Sequence, residues 1–112
     1  MVTDERPLAC AVKVEYDDRL VVGGSARFNS VTAATKLGVA FIEKLNQVNV
    51  DMGGLTELDS SALAMLLEWQ RVALSAQKKI HFYNAPKSLV DLGRVYGLDA
   101  ILNFEHSNPR KT

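Results

Sequence analysis

The chain has 112 residues, enough for one domain and too few for two. Its 47% hydrophobic and 23% charged residues are those of a globular protein able to bury an ordinary core. Thirteen Lys and Arg balance thirteen Asp and Glu, which argues against a nucleic-acid module and its concentrated basic surface. Cys10 is the single cysteine, so neither an intramolecular disulfide nor a cysteine-rich metal site is available.

The N-terminal segment, residues 1–7, lacks the basic start and apolar run of a secretion signal and reads as an extension. The longest apolar run, Ala62 to Leu67, falls far short of the about 20 residues that span a bilayer. These features predict a cytoplasmic protein that reaches a membrane only by docking onto something that spans it. From Leu8 to Tyr16 the alternation predicts a strand, Asp17-Asp18 a turn, and Arg19 to Ala26 the antiparallel partner. Gly23-Gly24 marks a bulge or a close backbone approach at the end of that strand.

Asn29-Ser30 predicts a helix cap. Val31, Ala34, Leu37, Phe41, Ile42 and Leu45 then recur at helical spacing, with Gly38 letting the helix lie close to the sheet. Val48 to Met52 is a short third strand, Val48, Val50 and Met52 pointing one way and Asn49 and Asp51 the other. Residues 53–58 connect it to a new helix start at Asp59. In that second helix Ala64, Glu68, Arg71, Ser75 and Lys78 form a wet stripe, and apolar side chains fill the rest. So wide an apolar arc leaves two readings for Met65 and Trp69: core, or a flank that meets a neighbour.

Lys79 to Tyr83 predicts the fourth strand, and Asn84-Ala85-Pro86 opens a third helix whose inner side carries Leu89, Leu92, Val95 and Tyr96. Gly97 fits a left-handed cap, with Leu98 folding back onto Leu92. Residues 101–104 close the fold, and residues 106–112 read as a flexible tail. The expected domain is therefore 8–105, an α/β fold of order β-β-α-β-α-β-α with a mixed, mainly parallel sheet of four to five strands and helices packed on it.

Asp59-Ser60-Ser61 before an apolar run is, taken alone, an ordinary helix start. Asp59 is placed to accept N–H groups of the first turn, and Ser60 then stands at the helix N-terminus. No Glu or Gln follows three residues later, so the polar cluster is richer than a capping box requires. Enzyme readings fare poorly. The two histidines, His81 and His106, form no nucleophile or metal constellation with Ser60, Ser61 or Cys10. The glycine pairs lack the spacing of phosphate-binding loops. No cofactor and no metal are predicted.

The run from Val50 to Leu67, with Asp51 ending a strand, a short loop, Asp59-Ser60-Ser61, the small Ala62 and an apolar helix, resembles the signature of the STAS family. Ala64-Met65-Leu66-Leu67-Glu68-Trp69 and Leu92-Gly93-Arg94-Val95-Tyr96-Gly97-Leu98 are similar to the STAS subunits of Mla-type phospholipid ABC transporters. That resemblance implies a non-enzymatic bacterial subunit that binds and regulates the transporter's cytoplasmic ATPase, in a system that maintains outer-membrane lipid asymmetry. The other branch of the family, the anti-sigma-factor antagonists, implies an anti-sigma-factor kinase as partner and Ser60 as the phosphorylated residue. In either case the expected site is Ser60, supported by Asp59, with Ser61, Ala62, Met65 and Trp69 as interface candidates. Ala62 stands where the antagonists usually carry glycine, and its methyl is expected to restrict close approach of a partner.

Overall fold

The computed structural model describes residues 10–105; the extension at 1–7, the start of the first predicted strand and the tail at 106–112 lie outside them. Strands β1 (Cys10–Glu15) and β2 (Arg19–Ala26) form the expected hairpin. Its turn holds Tyr16 and Asp17 at positive φ. Helix α1 (Val31–Lys44), strand β3 (Val48–Leu58), helix α2 (Ser61–Ser75), strand β4 (Ile80–Tyr83) and helix α3 (Lys87–Val95) follow. The closing segment resolves into a short helix α4 (Asp99–Leu102) and strand β5 (Phe104–Glu105). The strands lie in the order β1-β2-β3-β4-β5, antiparallel in the first pair and parallel in the rest.

Register fixes which residues share a face. Val12 lies opposite Val22, Leu20 opposite Val50, Val48 opposite Ile80, and Val50 opposite Phe82. These alternate residues form the apolar face, and they join buried residues of α1 and α2 in one core. Arg19, Asn49 and His81 share the opposite face, as do Val21, Asp51, Tyr83 and Glu105. That face is tied by polar links, Arg19 to Asp51 and His81 to Glu105.

Several expectations are corrected here. Residues 53–58 are not a connector: β3 continues to Leu58 and stays paired with β2 through two register shifts. The shifts fall where Gly23 and Gly54 face each other. A Cβ on Gly23 would stand 3.3 Å from the Gly54 carbonyl oxygen, so the glycines let two irregular strands remain in contact. The extension matters because it carries the chain to Asp59 at the far end of the sheet.

Gly38 does not bring α1 to the sheet. It receives the indole of Trp69 from α2, and a Cβ there would overlap the ring, 2.3 Å from Cε2. Trp69 is fully buried and its Nε1–H donates to the Thr35 carbonyl at 3.0 Å. The flank proposed for Met65 and Trp69 is thus core, because the spare apolar side of α2 is taken up by α1.

The inner side of α3 is also different. Leu89 and Gly93 are its buried residues, whereas Val95 is 78% and Tyr96 58% exposed. Gly93 leaves room for Phe104 and Leu63, so the helix rests on its 89/93 stripe and turns Val95 and Tyr96 outward. The end of α3 is as predicted: Gly97 has φ 72, its N–H donates to the Arg94 carbonyl, and that of Leu98 to Gly93.

Lys78, expected on the wet stripe, reaches back to the end of α1. Its Nζ donates to the carbonyls of Ile42 at 2.8 Å and Glu43 at 2.9 Å, placing a cation where the helix dipole and orphan carbonyls favour one. Lys78→Met keeps the stem and removes the charge. It is expected to cost about 1 to 2 kcal/mol, the low end for hydrogen bonds to a charged group because the ammonium is only partly buried, read as an unchanged urea m-value with a lower midpoint.

Candidate functional site

The polar cluster sits where the C-terminal ends of β2 and β3 meet the start of α2. The Asp59 N–H donates to the Ala26 carbonyl at 3.2 Å, which ties the junction to the end of β2. The Asp59 carboxylate then works in two directions. Oδ1 accepts the backbone N–H of Ser61 at 2.9 Å and also the Ser61 hydroxyl. Oδ2 accepts the backbone N–H of Phe28 at 2.9 Å, from the loop between β2 and α1. Asp59 is therefore a local cap and a cross-link between two segments 31 residues apart.

The first turn of α2 is tight, with the N–H of Ala62 donating to the Asp59 carbonyl and that of Leu63 to Ser60. Ser60 already has helical angles, φ −64 and ψ −17, and its side chain makes no capping bond. It is exposed. Ser61 is half-buried and spends its hydroxyl on Asp59, so it braces the site from within. Ala62 is fully buried. Its methyl belongs to the core, so it neither joins an interface nor obstructs approach to Ser60, contrary to both expectations.

Ser61 hydrogen bonding, with the Phe28 N–H and the Arg27 charge adding to it, holds the Asp59 carboxyl below its ordinary pKa of 3.8 against an opposing desolvation effect. A depressed folded-state pKa means stability that is fully present above pH 3.8 and is lost as pH falls through the lower folded value. Asp59→Ala is expected to cost about 0.5–2 kcal/mol, the range for losing a helix cap. It should also flatten the acid limb of the stability curve, as measured by urea unfolding between pH 2 and 6.

Two surfaces flank Ser60. On one side, Ser25, Arg27, Phe28, Asn29, Glu57 and Asp59 line an open cavity of about 380 Å³. On the other, Ser60, Leu63, Ala64, Leu67, Tyr96 and Leu98 line a mostly apolar groove of about 390 Å³. The sequence reading missed Phe28 and misassigned Tyr96. An aromatic standing outside both elements, in the turn between Ala26 and Ser30, was the available signal for Phe28. Ser30 also differs from expectation. Its hydroxyl leaves the N–H groups of α1 uncapped, donating instead to the Ser25 carbonyl at 2.6 Å and accepting the Arg27 N–H at 3.0 Å. Among the described residues no group of three or more His, Cys, Asp or Glu is arranged to hold a metal, and no helix is long and apolar enough to cross a membrane.

This five-stranded α/β domain with an Asp-capped, serine-bearing helix start has the architecture of STAS domains. Residues 12–103 match the family model described as Mlab, STAS domain, and the chain belongs to that family. No curated protein matches it. A chain of the Acinetobacter MlaFEDB complex in an ATP-bound conformation is similar at 25% identity and a TM-score of 0.71, over 85% of this chain and 99% of that one. The anti-sigma-factor antagonist SpoIIAA in its unphosphorylated form is similar at 11% identity and a TM-score of 0.70, over 91% and 90%. An anti-sigma-factor antagonist (STAS) domain protein from Planctomyces limnophilus shares 17% identity, a TM-score of 0.68, and 92% and 93% coverage. The last two likenesses concern the fold alone.

Proposed function

We propose that this chain is a non-enzymatic interaction subunit that binds and regulates the cytoplasmic ATPase of an Mla-type phospholipid ABC transporter. It is held by that ATPase at the inner face of the inner membrane and inserts no segment of its own. The observation that carries this reading is the environment of Ser60. An exposed serine with no side-chain cap bond stands at the head of α2, beside the groove of Leu63, Ala64, Leu67, Tyr96 and Leu98. Exposed aromatic and apolar side chains around an uncharged polar centre are the composition of a protein interface. The match to the Mlab-type family model and the likeness to the Acinetobacter transporter chain favour a transporter ATPase as the partner.

The same exposed hydroxyl supports a second reading, an antagonist released from an anti-sigma-factor kinase when Ser60 is phosphorylated. A phosphate would find favourable N–H groups at the helix start. It would also set nearly two negative charges beside Asp59 and enlarge the side chain, so an interface packed on the bare hydroxyl would open. Affinity purification of the tagged chain from native cells, followed by mass spectrometry, separates the two. Near-stoichiometric recovery of the transporter ATPase is expected; recovery of an anti-sigma kinase without it would overturn the transporter reading.

A further inference from the structure

Phe28 is 83% exposed, the most exposed of the large hydrophobic side chains among the described residues. An exposed aromatic on a slack loop has little meaning, but this loop is not slack. The Ser30 and Val31 N–H groups both donate to the Arg27 carbonyl, at 2.8 and 3.0 Å. Ser30 Oγ bridges the Arg27 N–H and the Ser25 carbonyl. The Phe28 N–H itself is held by Asp59 Oδ2. Arg27 is paired with Glu57 at 3.3 Å, which closes the loop from its other side. The backbone on both sides of Phe28 is thus fixed, while its ring projects into solvent.

An aromatic carried on a fixed backbone has only its two side-chain torsions to lose on binding, and such side chains dominate interface energetics. Phe28 borders the cavity that ends at Asp59, and Ser60 borders the groove that runs on to Tyr96. The ring is therefore continuous with the surface assigned above to the ATPase. We propose that Phe28 is an anchor of that interface, inserting into an apolar pocket of the ATPase, and that Asp59 is a positioning residue for it. Asp59 would then serve both halves of the site, setting Ser60 through the Ser61 bonds and Phe28 through its own N–H. This inference rests on the transporter reading and adds to it a second contact and the chemistry that must receive it.

The test uses the full chain and the purified transporter ATPase of the same organism, with affinities measured by calorimetry. Because the ring makes no core contact, Phe28→Ala should leave the thermal midpoint unchanged while raising Kd about 30-fold or more, the loss expected for a hot-spot side chain. Phe28→Leu should recover most of it. Asp59→Asn should weaken binding by several-fold in the wild-type background and distinctly less when Phe28 is already alanine, since part of its effect passes through the ring. Unchanged affinity in Phe28→Ala, or fully multiplicative effects of the two substitutions, would overturn the proposal. If Ser60→Glu abolishes binding while Phe28→Ala does not, the anchor is wrong and the transporter reading stands. If the unaltered chain fails to bind the ATPase, both fall.

Discussion

Trp69→Ala is expected to lower the unfolding free energy by about 3–5 kcal/mol, the range for emptying a buried aromatic site. Trp69 is fully buried, lies against Gly38 where any side chain would occupy its place, and donates to the Thr35 carbonyl. Its removal leaves a cavity that Gly38 cannot fill, because glycine has no side chain to move inward. The α1–α2 contact would loosen as a unit. For a domain of this size each kcal/mol moves the midpoint by about 4–8 °C, so a drop of at least about 12 °C in far-UV circular dichroism melts is the expected readout. Trp69→Phe keeps a ring and gives up the N–H bond and part of the volume, and should fall between the two. Were Trp69 instead a partner-facing residue, Trp69→Ala would leave the melt in place and weaken binding alone.

Ser60→Glu should do the reverse. The side chain is exposed and the first turn of α2 contains no acidic residue, so a carboxylate there complements the helix dipole. Stability is expected to hold or to rise by up to about 1 kcal/mol. Binding should fail. A charged side chain replacing a hydroxyl at the centre of an otherwise apolar contact must be desolvated without a partner, and Asp59 stands next to it. An increase in Kd of about 100-fold or more for the transporter ATPase, with an unchanged or higher midpoint, separates an interface role for Ser60 from a structural one. Ser60→Ala should bind within a few-fold of the unaltered chain if the hydroxyl is only fitted against.

Much of this was legible in the chain because it depended on local pattern. Alternation located the hairpin of β1 and β2, and the Val48-Val50-Met52 phase located β3 and named its apolar side. The Gly97-Leu98 pair located the end of α3, and Asp59-Ser60-Ser61 located the start of α2 and with it the candidate site. What was not legible depended on pairing between distant residues. Nothing local says that Gly54 will face Gly23, and without that contact residues 53–58 read as a loop. Gly38 and Trp69 lie 31 residues apart, and each looks ordinary until the other is beside it. Val95 and Tyr96 looked buried by spacing, but Gly93, which has no apolar side chain to count, takes the inward position and moves the stripe.

The site followed the same division. Asp59 as a cap was readable from its position, whereas its bond to Phe28 required knowing where the end of β2 lies. The burial of Ala62, Met65 and Trp69 narrows the proposed binding surface from the whole flank of α2 to its first turns. The exposed groups around that turn come from elsewhere, Phe28 from the β2–α1 loop and Tyr96 from the end of α3. That arrangement explains how one short helix start can present a composite surface while the rest of α2 holds the core.

Site-specific photo-crosslinking in native cells decides whether the groove beside Ser60 is where the ATPase sits. A photoreactive residue at the exposed positions 64 or 96, both on that groove and away from the Ser60 hydroxyl, is compared with one at Lys13, an exposed position on β1. Crosslinks to the transporter ATPase are expected from positions 64 and 96 and not from position 13; crosslinks to that ATPase from position 13, with positions 64 and 96 silent, would show that the partner binds elsewhere.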